Sequence, residues 1–282
     1  FVIGVTIVSI GTSLPELITS LVAVQRGSSE IVLSNVVGSN IANIFLIVGI
    51  ASIISSKILR ITFDLVSVDL PIFVGSAFLL TLAIWDGNFS FGEAVLFFAG
   101  YIFYVFYLVR GNSNNQLIDS DTETQLDLPQ DAHGPLWKLF LVLIASSLFI
   151  YVGADYSIKS LFSLSELIQV GREVLAVTAV AIGTSLPELM VTITAALKGN
   201  AEIAVGNVLG SNVFNIFVVM GIPGMIEPLD IPVAVLHRAI PTMLAGTLLL
   251  FFTTQDKKLT IWEGWLFIIF YVWFLGQTFN WL

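Results

Sequence analysis

Two short segments of this 282-residue chain hold the residue types from which a cation site can be built. Gly11-Thr12-Ser13-Leu14-Pro15-Glu16 recurs as Gly183-Thr184-Ser185-Leu186-Pro187-Glu188, an offset of 172 residues (188 − 16). Each glutamate lies in an apolar run, and a carboxylate in mid-bilayer costs about 2.5–3.5 kcal/mol on insertion scales. Neither has a repeated Lys or Arg beside it, so bound cations or protons are the expected compensating charge. Thr12, Ser13, Thr184 and Ser185 add hydroxyl oxygens. Pro15 and Pro187 lack an N–H and crowd the carbonyls of Gly11 and Gly183, which predicts a broken helix with the backbone unwinding at those glycines and main-chain oxygens freed nearby. The same offset carries Asn35-Val36-Val37-Gly38-Ser39-Asn40 and Asn43 onto Asn207-Val208-Leu209-Gly210-Ser211-Asn212 and Asn215. Ser39 and Asn43, like Ser211 and Asn215, are four residues apart and share a helix face, which Asn35 and Asn207 extend. Gly38 and Gly210 allow neighbouring helices to approach closely. Two carboxylates with hydroxyl, amide and main-chain oxygens form a hard-oxygen site of the kind that suits Ca²⁺. The chain has no Cys and only two His, which disfavours a soft or imidazole-bound metal.

The elements that position these residues belong to a membrane. Hydrophobic residues make up 56% of the chain and charged ones 11%, with a mean hydropathy of +0.95, whereas soluble domains carry about a quarter charged residues. The net charge of −9 and pI near 4.5 argue against a nucleic-acid partner. Windows of about 20 residues give spans near 1–24, 31–54, 65–85, 91–109, 136–155, 173–197, 203–226, 231–253 and 261–281. Residues 1–46 align without gaps on 173–218, about half of them identical, which marks a duplication. A further span, 136–155, precedes the second copy and nothing precedes the first, so a first helix is expected to be missing, with five plus five spans in the complete molecule.

The expected fold is therefore an all-α polytopic membrane protein of two inverted-topology repeats of five helices: a first repeat over 1–109 lacking its first helix, an acidic linker over 110–135, and a second repeat over 136–282. The copies lie five spans apart, an odd number, and so cross the membrane in opposite senses; such repeats mark secondary transporters whose site lies near the midplane. Lys57, Arg60, Arg110, Lys138, Lys198, Lys257 and Lys258 flank one side and Arg26, Lys159, Arg172 and Arg238 the other, which makes the first side, and the linker, cytoplasmic and leaves the C-terminus outside. The linker's Asp119, Asp121, Glu123, Asp127 and Asp131 read as a solvated hinge, because Thr124 and Gln130 stand where a calcium loop needs Gly and Glu.

Gly-Thr-Ser-Leu-Pro-Glu in both halves, each followed by Asn-x-x-Gly-Ser-Asn-x-x-Asn, resembles the cation/calcium exchanger superfamily, especially its prokaryotic sodium/calcium exchangers. The resemblance implies a secondary antiporter in which the two repeats bind Ca²⁺ and Na⁺ alternately, without an organic cofactor, in a prokaryotic plasma membrane. It implies that Glu16 and Glu188 ligate both ions and that Thr12 and Thr184 offer main-chain oxygens to Ca²⁺. Ser9 and Ala181, through their backbones, with Ser13, Ser39, Ser185 and Ser211, would line flanking Na⁺ positions, and Asn43 and Asn215 would face the middle. Several family members carry Asp where Asn215 stands, and its replacement removes a possible negative charge. Proton-coupled members typically carry Glu where this chain has Gly38-Ser39 and Gly210-Ser211, which favours Na⁺ over H⁺ as the coupling ion. A monomer is compatible with all of this. Two other classes stay open on the residues: a passive cation channel lined by the polar defect, and an intramembrane hydrolase using Ser13 or Ser185, for which neither 1–46 nor 173–218 supplies a His. Asp69 and Arg238 are expected as separate interfacial anchors rather than an ion pair, Asp155 and Glu263 as similar anchors, and Trp262, Trp265, Trp273 and Trp281 as lipid-facing aromatics.

Overall fold

A computed structural model describes residues 2–55, 59–60, 69–115 and 136–281. Helices dominate the described residues: α1 (Val2–Thr12), α2 (Leu14–Gln25), α3 (Glu30–Ile54), α4 (Asp69–Ala83), α5 (Phe91–Asn115), α6 (Leu136–Ile168), α7 (Arg172–Thr184), α8 (Leu186–Leu197), α9 (Ala201–Gly224), α10 (Val235–Thr254) and α11 (Ile261–Thr278). Among them α3, α5, α9 and α10 are long and apolar enough to cross a membrane, and α7 with α8, bent by 47° at their junction, forms a fifth such unit. The other expected spans coincide with α1 plus α2, α4, α6 and α11. The acidic stretch from Asp119 to Asp131, together with Lys57 and His133, lies outside the described residues.

The most buried helices are α3 and α9, with 78% and 89% of their apolar windows covered, against 22% for α5. They form the centre because residues of the two halves pack on each. Helix α1 lies on α9 and α7 on α3, while α11 lies on α3 and α5 on α9. Small residues set these crossings. A Cβ on Gly38 would sit 2.2 Å from the Val177 carbonyl oxygen and 2.7 Å from Ala181 Cβ, and one on Gly210 would sit 2.5 Å from Ser9 Oγ. Farther along, a Cβ on Gly264 would meet the Gly49 carbonyl at 2.8 Å, and one on Gly221 the Ala94 carbonyl at 3.2 Å. Glycine lets backbone approach backbone at Gly38, Gly264 and Gly221 and leaves room for the Ser9 side chain at Gly210, the use of small residues foreseen for Gly38 and Gly210. One apolar core, with Val36, Phe45, Val208, Phe214 and Phe267 among its members, joins the halves. A smaller one seats α6 on α2 through Ile158, Leu161, Val22 and Ala23.

Four dipeptide strands tie the halves together at their edges. β1 (Leu59–Arg60) pairs antiparallel with β4 (Lys258–Leu259), and β2 (Asn88–Phe89) with β3 (Leu229–Asp230). The helices that follow β2 and β4 start alike. Ser90 N donates to Glu93 Oε2 at 2.7 Å before α5, and Thr260 N donates to Glu263 Oε2 at 2.5 Å before α11, so both are capping boxes. Glu263 is thus a helix cap, a role its expected place near the headgroups did not reveal. Asp155 pairs with Arg26, whose Nε lies 2.8 Å away, and with Lys159 at 2.7 Å. Asp69 accepts the Tyr104 hydroxyl at 3.1 Å, and Arg238 donates to the Gln277 carbonyl and Asn280 Oδ1, so the two are separate as expected. Trp262, Trp265, Trp273 and Trp281 are all exposed on the outer surface.

Candidate cation site

Each signature segment breaks its helix at a serine. Ser13 (φ −89°, ψ 5°) separates α1 from α2, and Ser185 (φ −81°, ψ 8°) separates α7 from α8. Gly11 and Gly183 stay inside α1 and α7, so the break falls two residues later than the glycine positions predicted. The cause is proline: in the first turn of a helix its missing N–H is one that has no partner anyway, so α2 and α8 restart at Leu14 and Leu186 with Pro15 and Pro187 in that turn. Glu16 and Glu188 then occupy the same first turns, where the helix dipole favours negative charge. Just before each break, the carbonyl of Ser9 accepts Ser13 N at 3.1 Å and Thr12 Oγ1 at 3.2 Å. Likewise the carbonyl of Ala181 accepts Ser185 N at 3.1 Å and Thr184 Oγ1 at 3.2 Å.

The breaks meet at the centre and brace one another. Ser13 Oγ donates to Glu188 Oε1 at 2.7 Å, and Ser185 Oγ donates to Glu16 Oε1 at 2.9 Å, so each carboxylate is held by a hydroxyl from the other half. Ser39 Oγ donates to Glu16 Oε1 at 3.4 Å and lies 3.5 Å from Thr184 Oγ1; across the site Thr12 Oγ1 and Ser211 Oγ are 3.4 Å apart. Eleven of the twelve residues singled out as ligands, Ser9, Thr12, Ser13, Glu16, Ser39, Asn43, Ala181, Ser185, Glu188, Ser211 and Asn215, are buried; Thr184 is half-buried. A groove of about 970 Å³ between α2, α6 and α7 has Pro15, Thr19, Gly183 and Thr184 among its lining residues.

Asparagines complete the centre. Asn43 Nδ2 donates to Asn212 Oδ1 at 3.0 Å, and Asn215 Nδ2 donates to Asn40 Oδ1 at 3.1 Å. Asn40 and Asn212 were not among the expected ligands, because they fall one residue off the face shared by Ser39 and Asn43; their recurrence in Gly-Ser-Asn was the available signal. The helices widen at the same point. Val48 N bonds the Asn43 carbonyl and Met220 N the Asn215 carbonyl, five residues apart in each case, within π-helical turns Ala42–Ile47 and Asn215–Val219. Such turns are frequent at functional sites. Asn35 and Asn207 serve as struts: their amide nitrogens donate to the Glu16 and Glu188 carbonyls at 3.3 and 3.5 Å, and their oxygens accept from Thr184 and Thr12.

Among the described residues, the buried side-chain polar atoms left without a partner include Glu16 Oε2, Glu188 Oε2, Asn43 Oδ1 and Asn215 Oδ1. These are two symmetry-like pairs at the 172-residue offset, and all four are acceptors. Buried acceptors without donors are costly, and a cation is the partner that satisfies carboxylate and amide oxygens at once.

The chain has clear relatives. The sequence profile of the family described as sodium/calcium exchanger protein matches residues 1–110 and 138–279. Sodium/calcium exchanger MaX1 of Methanosarcina acetivorans is 36% identical over 99% of this chain and 89% of its own length. Inner membrane protein YrbG of Escherichia coli is 34% identical over 86% of this chain and 74% of its own. Structures of the sodium-calcium exchanger NCX_Mj, from crystals soaked with Na⁺ and Sr²⁺ or Na⁺ and Ca²⁺, superpose with a TM-score of 0.69 at 27% identity, covering 96% of this chain and 84% of that one. Apolar helices, a buried oxygen-rich centre and these matches agree: the chain is an integral membrane transport protein and belongs to the sodium/calcium exchanger family.

Proposed function

We propose that this chain exchanges Ca²⁺ for Na⁺ by alternating access, with both ions bound at Glu16 and Glu188. The observation that carries the reading is the set of four buried, unpartnered acceptor oxygens on Glu16, Glu188, Asn43 and Asn215. Hydroxyls of Ser13, Ser39, Ser185 and Ser211 and the main-chain oxygens of Thr12 and Thr184 complete the coordination. The Ser9 and Ala181 carbonyls join the flanking Na⁺ positions when the Thr12 and Thr184 hydroxyls turn away from them. The reading includes two repeats of inverted topology, with about nine spans in this chain. The cross-half pairs Ser13–Glu188 and Ser185–Glu16, and β1–β4 and β2–β3, are what a two-fold axis in the membrane plane produces. The register opposes Arg60 to Lys258, which gathers basic residues on the side taken as cytoplasmic. The groove beside α6 has Thr184 in its lining, so movement of α6 against α2 and α7 exposes the site to one side.

Ca²⁺ and Na⁺ compete for the same carboxylates, and a site stripped of both leaves two charges in low dielectric, which resists the change of access. Na⁺ is the coupling ion in this reading; a proton would leave a carboxyl group where Na⁺ leaves an ion pair. A serine hydrolase is disfavoured because the two Ser–Glu contacts are equivalent and buried, and neither 1–46 nor 173–218 holds a His to act as base.

Removing one carboxylate leaves Ca²⁺ with a net positive charge in a buried site, a loss of about 3–5 kcal/mol by comparison with broken buried ion pairs. Glu16→Gln and Glu188→Gln should therefore each abolish Na⁺-driven Ca²⁺ uptake into vesicles. Uptake at the wild-type rate in either variant refutes the site, and uptake driven equally by an imposed pH gradient in the wild type refutes Na⁺ coupling.

A further inference from the structure

We propose that Asn207 and Asn35 are positioning residues for Na⁺: each receives the threonine hydroxyl that must leave a helix carbonyl before Na⁺ can bind there, an inference that rests on the exchange reading above. A carbonyl oxygen has two lone pairs, and a hydroxyl has one proton. The Ser9 carbonyl has both positions filled, by Ser13 N at 3.1 Å and Thr12 Oγ1 at 3.2 Å. The Ala181 carbonyl is filled in the same way, by Ser185 N at 3.1 Å and Thr184 Oγ1 at 3.2 Å. Na⁺ at either carbonyl therefore displaces one donor. The amide N–H is fixed by the backbone, whereas a hydroxyl hydrogen rotates to suit its surroundings, so the hydroxyl is the donor that leaves.

A second acceptor stands within reach of each, supplied by the opposite half. Thr12 Oγ1 lies 3.4 Å from Asn207 Oδ1, and Thr184 Oγ1 lies 3.4 Å from Asn35 Oδ1. The Ser211 and Ser39 hydroxyls are as near, at 3.4 and 3.5 Å, but in the exchange reading their oxygens are taken by ions. The asparagine oxygens are not. Asn207 Nδ2 is tied to the Glu188 carbonyl and Thr192 Oγ1, and Asn35 Nδ2 to the Glu16 carbonyl and Ser20 Oγ, which holds each amide with its oxygen toward the threonine. Both asparagines are fully buried, in surroundings where a displaced hydroxyl hydrogen without an acceptor is costly. Rotation of one O–H thus opens a carbonyl to Na⁺ without stranding a donor. Ca²⁺ held by the main-chain oxygens of Thr12 and Thr184 needs no such rotation, so the exchange of partners serves Na⁺ alone.

The test takes the full chain and measures two quantities: the Na⁺ concentration that gives half-maximal Ca²⁺ uptake into liposomes, and the Ca²⁺ dissociation constant in detergent without Na⁺, by calorimetry. One neutral hydrogen bond is worth about two- to tenfold in an equilibrium constant. In Asn207→Ala and in Asn35→Ala the Na⁺ half-saturation should therefore rise by about two- to tenfold more than the Ca²⁺ dissociation constant. Both variants also lose the bonds to the glutamate carbonyls, so Thr12→Val is added to Asn207→Ala and Thr184→Val to Asn35→Ala. Valine keeps the main-chain oxygen and removes the hydroxyl that blocks the carbonyl, and the Na⁺ half-saturation should fall back toward the wild-type value. That recovery supports the proposal. Parallel weakening of both ions, an unchanged Na⁺ half-saturation, or no recovery in the double variants overturns it and leaves Na⁺/Ca²⁺ exchange intact. Thr12→Val alone should lower the Na⁺ half-saturation, because the carbonyl starts unblocked, and a rise overturns the proposal even where the alanine variants do not fold. Absence of any Na⁺-driven Ca²⁺ movement in the wild type overturns the exchange reading itself and this inference with it.

Discussion

The two central glycines, equivalent in sequence, should respond differently to the same substitution. In Gly38→Ala the new Cβ lies 2.2 Å from a backbone oxygen, Val177 O, and 2.7 Å from Ala181 Cβ. In Gly210→Ala it lies 2.5 Å from Ser9 Oγ and 2.9 Å from Ser9 Cβ, both side-chain atoms. Ordinary contact begins at 3.4 Å, so the first variant needs α3 and α7 to part by about 1.2 Å (3.4 − 2.2), while the second needs a χ1 rotation of Ser9 and, because that leaves Cβ in place, a parting of α1 and α9 by about 0.5 Å (3.4 − 2.9). Overpacking costs about 1–3 kcal/mol, and replacing a helical Gly by Ala returns about 1 kcal/mol. The net expectation is a loss of up to about 2 kcal/mol for Gly38→Ala and a smaller one for Gly210→Ala. The effect also reaches the site. Helix α7 ends at the break that positions Ser185, whose hydroxyl is 2.9 Å from Glu16 Oε1, and a shift of this size takes it out of hydrogen-bond range. A hydrogen bond to a charged group is worth about 1.5–3 kcal/mol, or roughly ten- to a hundredfold in ion affinity. Thermal unfolding in detergent and calorimetric Ca²⁺ titration of both variants measure the two effects. Equal destabilisation of both, or wild-type behaviour of Gly38→Ala in both assays, would refute the reasoning.

Ser13→Ala and Ser185→Ala should each lower the melting temperature measured without ions, by similar amounts, since each removes one hydroxyl from a buried carboxylate. Saturating Ca²⁺ should widen that gap, because each variant also lacks a hydroxyl ligand and binds the ion more weakly, and a gap that stays constant with Ca²⁺ counts against ligation by Ser13 and Ser185. Asn40→Ala strips Asn215 Nδ2 of its acceptor and frees the amide to rotate, so Ca²⁺ binding should weaken by about 1–3 kcal/mol in calorimetry. Unchanged binding would mean that Asn215 does not face the ion.

The membrane class, the duplication and the pairing of Glu16 with Glu188 were legible because they depend on local sequence: apolar runs, a fixed offset and a carboxylate no repeated basic residue accompanies. The position of the helix break was less so. Gly11 and Gly183 are the most permissive residues of the motif, yet the chain breaks at Ser13 and Ser185, because the proline is accommodated in the first turn of the following helix and the departure from helical geometry falls just before it. Asn40 and Asn212 were missed for a different reason. Their partners are Asn215 and Asn43 of the opposite half, and the hydrogen bond that defines their role exists only after two helices 172 residues apart in sequence have crossed. The π-turns beginning at Ala42 and Asn215 leave no simple periodic trace either, since one wide turn shifts the helix face without interrupting the apolar run.

The crossed serines bear on why such a site can hold two carboxylates without a basic partner. Ser13 and Ser185 are also the residues that start α2 and α8, so both helices direct their N-terminal dipoles toward the centre where Glu16 and Glu188 sit. A dipole of this kind contributes up to about 2 kcal/mol in a partly buried setting, against about 2.5–3.5 kcal/mol for a carboxylate at the centre of a spanning helix. The dipoles and the serine bonds therefore lower the cost of each charge without removing it, and the remaining free oxygen on each glutamate concentrates what is left on the atoms proposed to face the ion. In the proposed exchange, a site preorganised this far binds cations without first rearranging. Emptied, it keeps both charges, and sealing it from water in that state removes the solvent that makes them tolerable. On the proposed reading, exchange without leak follows from that imbalance, since the access change is favourable only with the two charges neutralised.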